Sequence, residues 1–230
     1  CGLFLLFVAR RVGAPAGVTA SLILLSSVEW LRSGSTCRVD TILAVSLAGA
    51  LLSLFSWQER GRRGVPWAAL ALLSAAALTK GPVGIVLPLG IFSLYRVTVE
   101  GLTLRSLFRI ALSAGLIALP VLAVASSWYV AGYLARGDEF LGKIWYENVE
   151  RFAGTMADEP HKHSVFYLLG MLLVMLLPWS LAWAVAAARS RGVREALQAP
   201  RTFWRGLTEL EKFSLLSAAG IVLFFCIPSS

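Results

Sequence analysis

Lys80 stands in the stretch Ala77-Leu78-Thr79-Lys80-Gly81-Pro82-Val83-Gly84, at the joint between two short apolar segments. An ammonium in or near hydrocarbon is costly unless it faces water, a partner or an anionic ligand, so a lysine in this setting marks a candidate site. Gly81-Pro82 breaks a helix, because proline has no amide donor and restricts the residue before it. The freed backbone groups then need water or protein partners. The start of the next segment, Val83 to Gly84, offers amide groups and a positive dipole end beside the ammonium. Together these features form an anion site at membrane depth, suited to a phosphate carried on a lipid. The competing reading is a lysine that snorkels to the surface from an ordinary helical hairpin.

Further polar groups lie on either side of Lys80 in the sequence. Arg38-Val39-Asp40 precedes the apolar Thr41-Ile42-Leu43. Asp40 either caps the following helix, favoured there by exposed amides and the dipole, or stands at a cavity mouth. In the second case it binds a cation or sugar hydroxyls, or orients basic residues, with Arg38 as its partner. Arg151 carries a planar guanidinium that can hold phosphate oxygens bidentately; a surface salt bridge to Glu147 is the alternative. His161-Lys162-His163 follows Asp158-Glu159 and sets imidazoles near carboxylates. Such a set can bind a divalent metal, although two histidines at i and i+2 in a loop are a weak signal.

Membrane helices must position all of these residues. The chain has 230 residues, 57% hydrophobic and 15% charged, with mean hydropathy +0.74. Apolar runs of roughly twenty residues recur along it, which marks an integral membrane protein. A truncated first helix ends at Arg10-Arg11. Spans are then predicted over 16–31, 41–57, 66–79, 83–95, 108–134, 164–188 and 213–227, about seven complete spans in all. Position 1 is Cys rather than Met, and the apolar run from Gly2 to Val8 is short, so the chain reads as a fragment open at both ends. Cys1, Cys37 and Cys226 are far apart and odd in number, which points to neither a disulfide framework nor a zinc cluster.

Alternate loops lie on opposite sides of the membrane, and their charges differ. One set carries 14 basic and five acidic residues, the other seven basic and eight acidic. The positive-inside rule puts the first set in the cytoplasm. High pI therefore reflects orientation rather than nucleic-acid binding. Asp40, Lys80 and a loop over 135–163 then share the outer face. Within that loop Leu141, Ile144, Trp145, Asn148 and Phe152 follow helical spacing, with charges on the other faces, which predicts an interfacial amphipathic helix. A helix from Val65 to Lys80 rises roughly 24 Å, against about 30 Å of hydrocarbon, so Lys80 stops below the outer interface.

Several of these segments, in order, resemble a known family. They are Leu78-Thr79-Lys80-Gly81-Pro82-Val83-Gly84 with Leu87-Pro88, the Arg38-Val39-Asp40 helix start, and Glu147-Asn148-Val149-Glu150-Arg151-Phe152-Ala153. To these are added His161-Lys162, leading to Phe166-Tyr167 and Leu177-Pro178-Trp179-Ser180, and the terminal Phe224 to Ser230. The set resembles the bacterial aminoarabinose transferase and protein mannosyltransferase-like branch of the GT-C glycosyltransferases, over nearly the whole chain. Ser164-Val165 departs from the Pro-Phe that often follows the loop histidine there.

The resemblance implies an all-α, polytopic transmembrane bundle of GT-C type, with residues 1–230 as part of its membrane domain. It implies an inverting transfer of sugar from a polyprenyl-phosphate donor to a lipid or protein acceptor, at the extracytoplasmic face of the inner membrane. Lys80 and Arg151 are then phosphate ligands, Asp40 a supporting acid, and Arg38, Glu147 and His161 further site residues. The family's main catalytic base falls upstream of Cys1, so the fragment alone is expected to be inactive. A divalent metal is the one cofactor left open; membrane lipids are partners and nucleic acid is not. The alternative is a transporter or lipid flippase, which also uses a charge at a broken helix, with Lys80 and Asp40 as a coupling pair. A non-catalytic assembly subunit is a third reading.

Overall fold

The structure is a computed structural model that describes residues 2–36, 38–146 and 165–226. Its regular elements are all helical, as hydrocarbon requires of segments that must satisfy their own backbone N–H and C=O groups. In chain order they are α1 (Gly2–Val12), α2 (Ala14–Ser26), α3 (Val28–Ser35), α4 (Val39–Glu59), α5 (Trp67–Lys80), α6 (Val83–Glu100) and α7 (Leu104–Arg136). There follow α8 (Asp138–Trp145), α9 (Val165–Met175), α10 (Trp179–Arg189), α11 (Arg191–Gln198), α12 (Pro200–Gly206) and α13 (Glu209–Cys226). The chain divides into two compact units: Cys1–Thr41 with Ser164–Thr208, and Ile42–His163 with Glu209–Ser230.

In the first unit α1 and α2 pack as a hairpin around Gly17, where an added Cβ would stand 2.8 Å from both Ala9 Cβ and Leu5 O. The span predicted over 16–31 is broken, since α2 and α3 meet at 63°. The Ser26 and Ser27 hydroxyls donate to Leu22 O at 2.5 Å and Ile23 O at 2.7 Å. Back-bonding of this kind competes with the helical ladder and bends helices. Ser26 Oγ also accepts from Trp179 Nε1 at 2.7 Å, which ties α10 to α2. The span predicted over 164–188 is likewise divided into α9 and α10, with Pro178 at the break. Proline there cannot donate to a continuous ladder.

Among the described residues α4, α6 and α7 are long and apolar enough to cross a membrane, and α2 with α3 makes a fourth if the bent pair is one span. The seven complete spans expected from apolar runs are not matched one for one. Besides the breaks in the first unit, α5 has only 14 residues, and α13 opens with Glu209, Glu211 and Lys212. An apolar run is a necessary sign of a crossing helix, and these four cases show what else its length and charge must satisfy.

The second unit is built around α6. Leu54 and Phe55 of α4, Leu73 and Ala76 of α5, Phe92 of α6 and Phe213 of α13 are all buried. The Phe213 ring stacks on Phe55 with centroids 4.8 Å apart and meets Tyr95 edge-on at 5.1 Å. Tyr95 also donates its hydroxyl to Glu209 Oε2 at 3.1 Å, so α13 is fixed to α6 by both packing and a hydrogen bond. α7 has 33 residues, roughly 50 Å of rise, and only 17% of its most apolar stretch is buried. The exposed remainder is surface that lipid would cover.

Candidate functional site

Lys80 is the last residue of α5 and its side chain is exposed. Fourteen residues rise roughly 21 Å, slightly less than the sequence predicts, because the helix starts at Trp67 rather than Val65. The helix stops at Gly81, whose φ of 65° is open to glycine without strain, and the Gly81 amide donates to Ala77 O at 2.8 Å. Pro82 then turns the chain into α6. One element of the expected anion cradle is corrected here. The Gly84 amide donates to Gly81 O at 3.1 Å and is not free to meet a ligand.

Gly84 has a different task. An added Cβ would lie 2.4 Å from Ala76 C and 2.5 Å from Ala77 N, so the two helices touch backbone to side-chain-free backbone just beyond the joint. Neither atom can move without shifting α5. Gly84→Ala is therefore expected to destabilise the protein by about 1–3 kcal/mol through overpacking. The control is Gly49→Ala, whose Cβ would meet Leu72 Cδ1 at 2.9 Å, a flexible side-chain end. Thermal melting in neutral detergent checks this: the Gly84 variant should lose clearly more than the Gly49 variant.

Beside the joint lies an apolar cavity of about 1170 Å³. Ala77, Gly81 and Pro82 line its end next to Lys80; Ile85, Val86 and Leu89 of α6 and Ala114 to Tyr129 of α7 form its sides. α8 supplies the remaining wall through Leu141, Gly142, Ile144 and Trp145. The helix reaches that position because Gly137, with φ 58°, reverses the chain after α7. The Phe140 ring then lies over Gly132, and Trp128 meets it at 5.3 Å. On another face of α8, Lys143 Nζ stands 3.1 Å from Glu139 Oε1 and holds that carboxyl below its usual range. The expected amphipathic helix is thus present over its described part, with its apolar face toward the cavity.

The other predicted site residues fall elsewhere. Asp40 is exposed in the first turn of α4, inside the helix rather than at the capping position before it. Arg38 Nη1 lies 3.6 Å from Glu29 Oε1, and Arg32 Nε holds Glu29 Oε2 at 3.0 Å. The bend at Ser27 sets Glu29 there, a pairing that the Arg38-Asp40 spacing did not reveal. Asp40 and Arg38 belong to the first unit and Lys80 to the second. Arg151, Glu147 and His161, with His163, lie outside the described residues. Among the described residues no three His, Cys, Asp or Glu side chains gather to hold a metal ion.

A second polar cluster, at the opposite end of α6, was visible in sequence only as scattered charges. Arg96, 1% exposed, sets Nε 2.9 Å from Glu100 Oε1 and donates through Nη1 to Ser113 of α7. Arg62 Nη1 reaches the same Glu100 oxygen at 2.8 Å. The i to i+4 spacing of Arg96 and Glu100 was legible; the arrival of Arg62 and Ser113 was not.

No family model matches the chain, and no solved structure gives a significant match. Among curated proteins it is similar to an uncharacterized protein of Aquifex aeolicus, 35% identical over 60% of this chain and 28% of that protein. It is similar to the undecaprenyl phosphate-alpha-4-amino-4-deoxy-L-arabinose arabinosyl transferase of Edwardsiella ictaluri, 30% identical over 77% of this chain and 32% of that protein. The undecaprenyl phosphate-alpha-4-amino-4-deoxy-L-arabinose arabinosyl transferase 2 of Proteus mirabilis is 27% identical over 70% of this chain and 28% of its own length. The chain thus spans a third or less of these relatives. A match over 77% of the chain necessarily includes Lys80.

Proposed function

We propose that this chain is part of a multi-pass inner-membrane glycosyltransferase that takes a sugar from a polyprenyl-phosphate donor and passes it to a lipid or protein acceptor at the extracytoplasmic face. The observation that carries the reading is the apolar cavity whose end is formed by Gly81 and Pro82, immediately after Lys80. A prenyl chain needs an apolar channel and its phosphate needs a cation at the end of it; the second unit has both in adjacent residues. Similarity to two transferases named for an undecaprenyl phosphate-linked sugar supports the same donor class.

On this reading the bond that breaks joins the sugar's anomeric carbon to a phosphate oxygen, which keeps the electron pair. The Lys80 ammonium neutralises the charge that develops there. An acceptor hydroxyl or amine attacks from the opposite side, so the anomeric centre inverts, and the acceptor proton passes to a carboxylate base. The roles proposed for Arg151 as a second phosphate ligand, Asp40 as a supporting acid, and Arg38, Glu147 and His161 as further site residues rest on the family resemblance. A divalent metal at His161 belongs with them.

Mass spectrometry of cell-envelope glycolipids and glycoproteins, with and without the intact gene, tests the function; no difference in any glycan would overturn it. The cavity has its own test. Ala118→Trp would fill space between α6 and α7 and exclude part of a prenyl chain. Losing burial of about two methylenes costs roughly 1.6 kcal/mol, which is about tenfold in KM for a long-chain donor. A donor with one or two isoprene units should be unaffected.

A further inference from the structure

We propose that α11 and α12 form an amphipathic hairpin that docks on the membrane surface and binds the anionic headgroups of phospholipids. Residues 189–206 hold five arginines against one acid, Glu195. Helical phase sorts them. On α11 the positions of Arg191, Arg194 and Gln198 share one face, and those of Val193, Ala196 and Leu197 take the opposite one. On α12 Arg201 and Arg205, four residues apart, share a face, while Phe203 and Trp204 sit on a different one. Membrane orientation needs positive charge only somewhere in a loop. Division of charged and apolar residues between the faces of two successive helices is what a helix lying in the interface adds.

Short links fix where the hairpin begins. Ser190 alone separates α10 from α11, and Ala199 alone separates α11 from α12; a single residue spans about 3.5 Å at most. α11 therefore starts at the end of α10, whose Leu181, Trp183 and Val185 are exposed apolar surface of the kind that lipid covers. α11 and α12 pack against each other, and Phe203 and Trp204 are half-buried, yet Val193 stays 38% exposed. Arg189, Arg201 and Arg205 are exposed and make no ion pair or hydrogen bond among the described residues. Their guanidiniums can reach lipid phosphates while their stems lie along apolar surface. Each basic residue near an anionic surface adds attraction, and several together select anionic over zwitterionic lipid. None of these residues lines the donor cavity, so the binding is independent of the transfer reaction.

The test reads backbone amide exchange over 191–206 in the intact protein, held in nanodiscs of dioleoylphosphatidylcholine alone or mixed equally with dioleoylphosphatidylglycerol. The mixed nanodiscs should slow exchange over this segment by about tenfold or more, and added salt should weaken the effect. Arg201→Gln with Arg205→Gln should remove most of the difference while leaving the melting midpoint in neutral detergent unchanged. Val193→Asn should speed exchange in both compositions, because it removes apolar contact rather than charge. The basic turn at 60–64 controls for the local pH of an anionic surface, since it carries Arg60, Arg62 and Arg63 without an amphipathic helix. Equal exchange in the two compositions overturns the proposal, as does a slowing no larger than at 60–64 or a double variant that responds like the wild type. The hairpin is then covered by protein or faces water, and its charge serves orientation alone.

Discussion

Replacing Lys80 by alanine in the intact protein is expected to lower transfer from a polyprenyl-phosphate sugar by about 100-fold or more, with membrane insertion and melting unchanged. The size follows from where charge appears. Ground-state donor already carries a charged phosphate, but bond breaking adds charge to the leaving oxygen, so a cation placed there binds the transition state more tightly than the substrate. The loss should therefore fall mainly on kcat. Stability should be spared because Lys80 is exposed at the end of α5, and its truncation opens no cavity in the core. Lys80→Arg keeps the charge but replaces a compact ammonium by a planar fork, so partial recovery is expected. Transfer assays with a labelled long-chain donor decide it: unchanged turnover sinks the phosphate role, and a loss that tracks falling stability assigns Lys80 to the fold instead.

Local patterns carried much of what the structure contains. The apolar runs located α4 to α7, Gly81-Pro82 located the joint, and the spacing of Leu141, Ile144 and Trp145 located the apolar face of α8. What those patterns could not carry was tertiary. Ala114, Gly115 and Ala118 read as unremarkable small residues in a helix, yet they leave the space that becomes the cavity. Gly84 read as an anion-binding amide, whereas its missing side chain is what lets α5 and α6 touch. The bend at Ser27 depends on hydroxyls turning back to carbonyls one turn earlier, a choice that composition does not reveal. Arg38 consequently pairs with Glu29. Arg62 reaches Glu100 across 38 residues of sequence, a contact that only the packing of the turn before α5 against α6 explains.

Glu100→Ala should be among the most destabilising single substitutions in the second unit, costing about 3–5 kcal/mol. Its carboxylate is the contact shared by Arg62 and by Arg96, the latter 1% exposed. Removing it leaves a buried guanidinium with Ser113 as its remaining hydrogen-bond partner. Arg96→Met should cost less, because Arg62 still pairs with Glu100 from a position one-third exposed and a methionine fills much of the vacated volume. The double variant, Arg96→Met with Glu100→Ala, should be more stable than Glu100→Ala alone, since an uncharged pair carries no desolvation penalty. Melting midpoints in neutral detergent measure all three, and strict additivity would mean that the two side chains do not act as a pair.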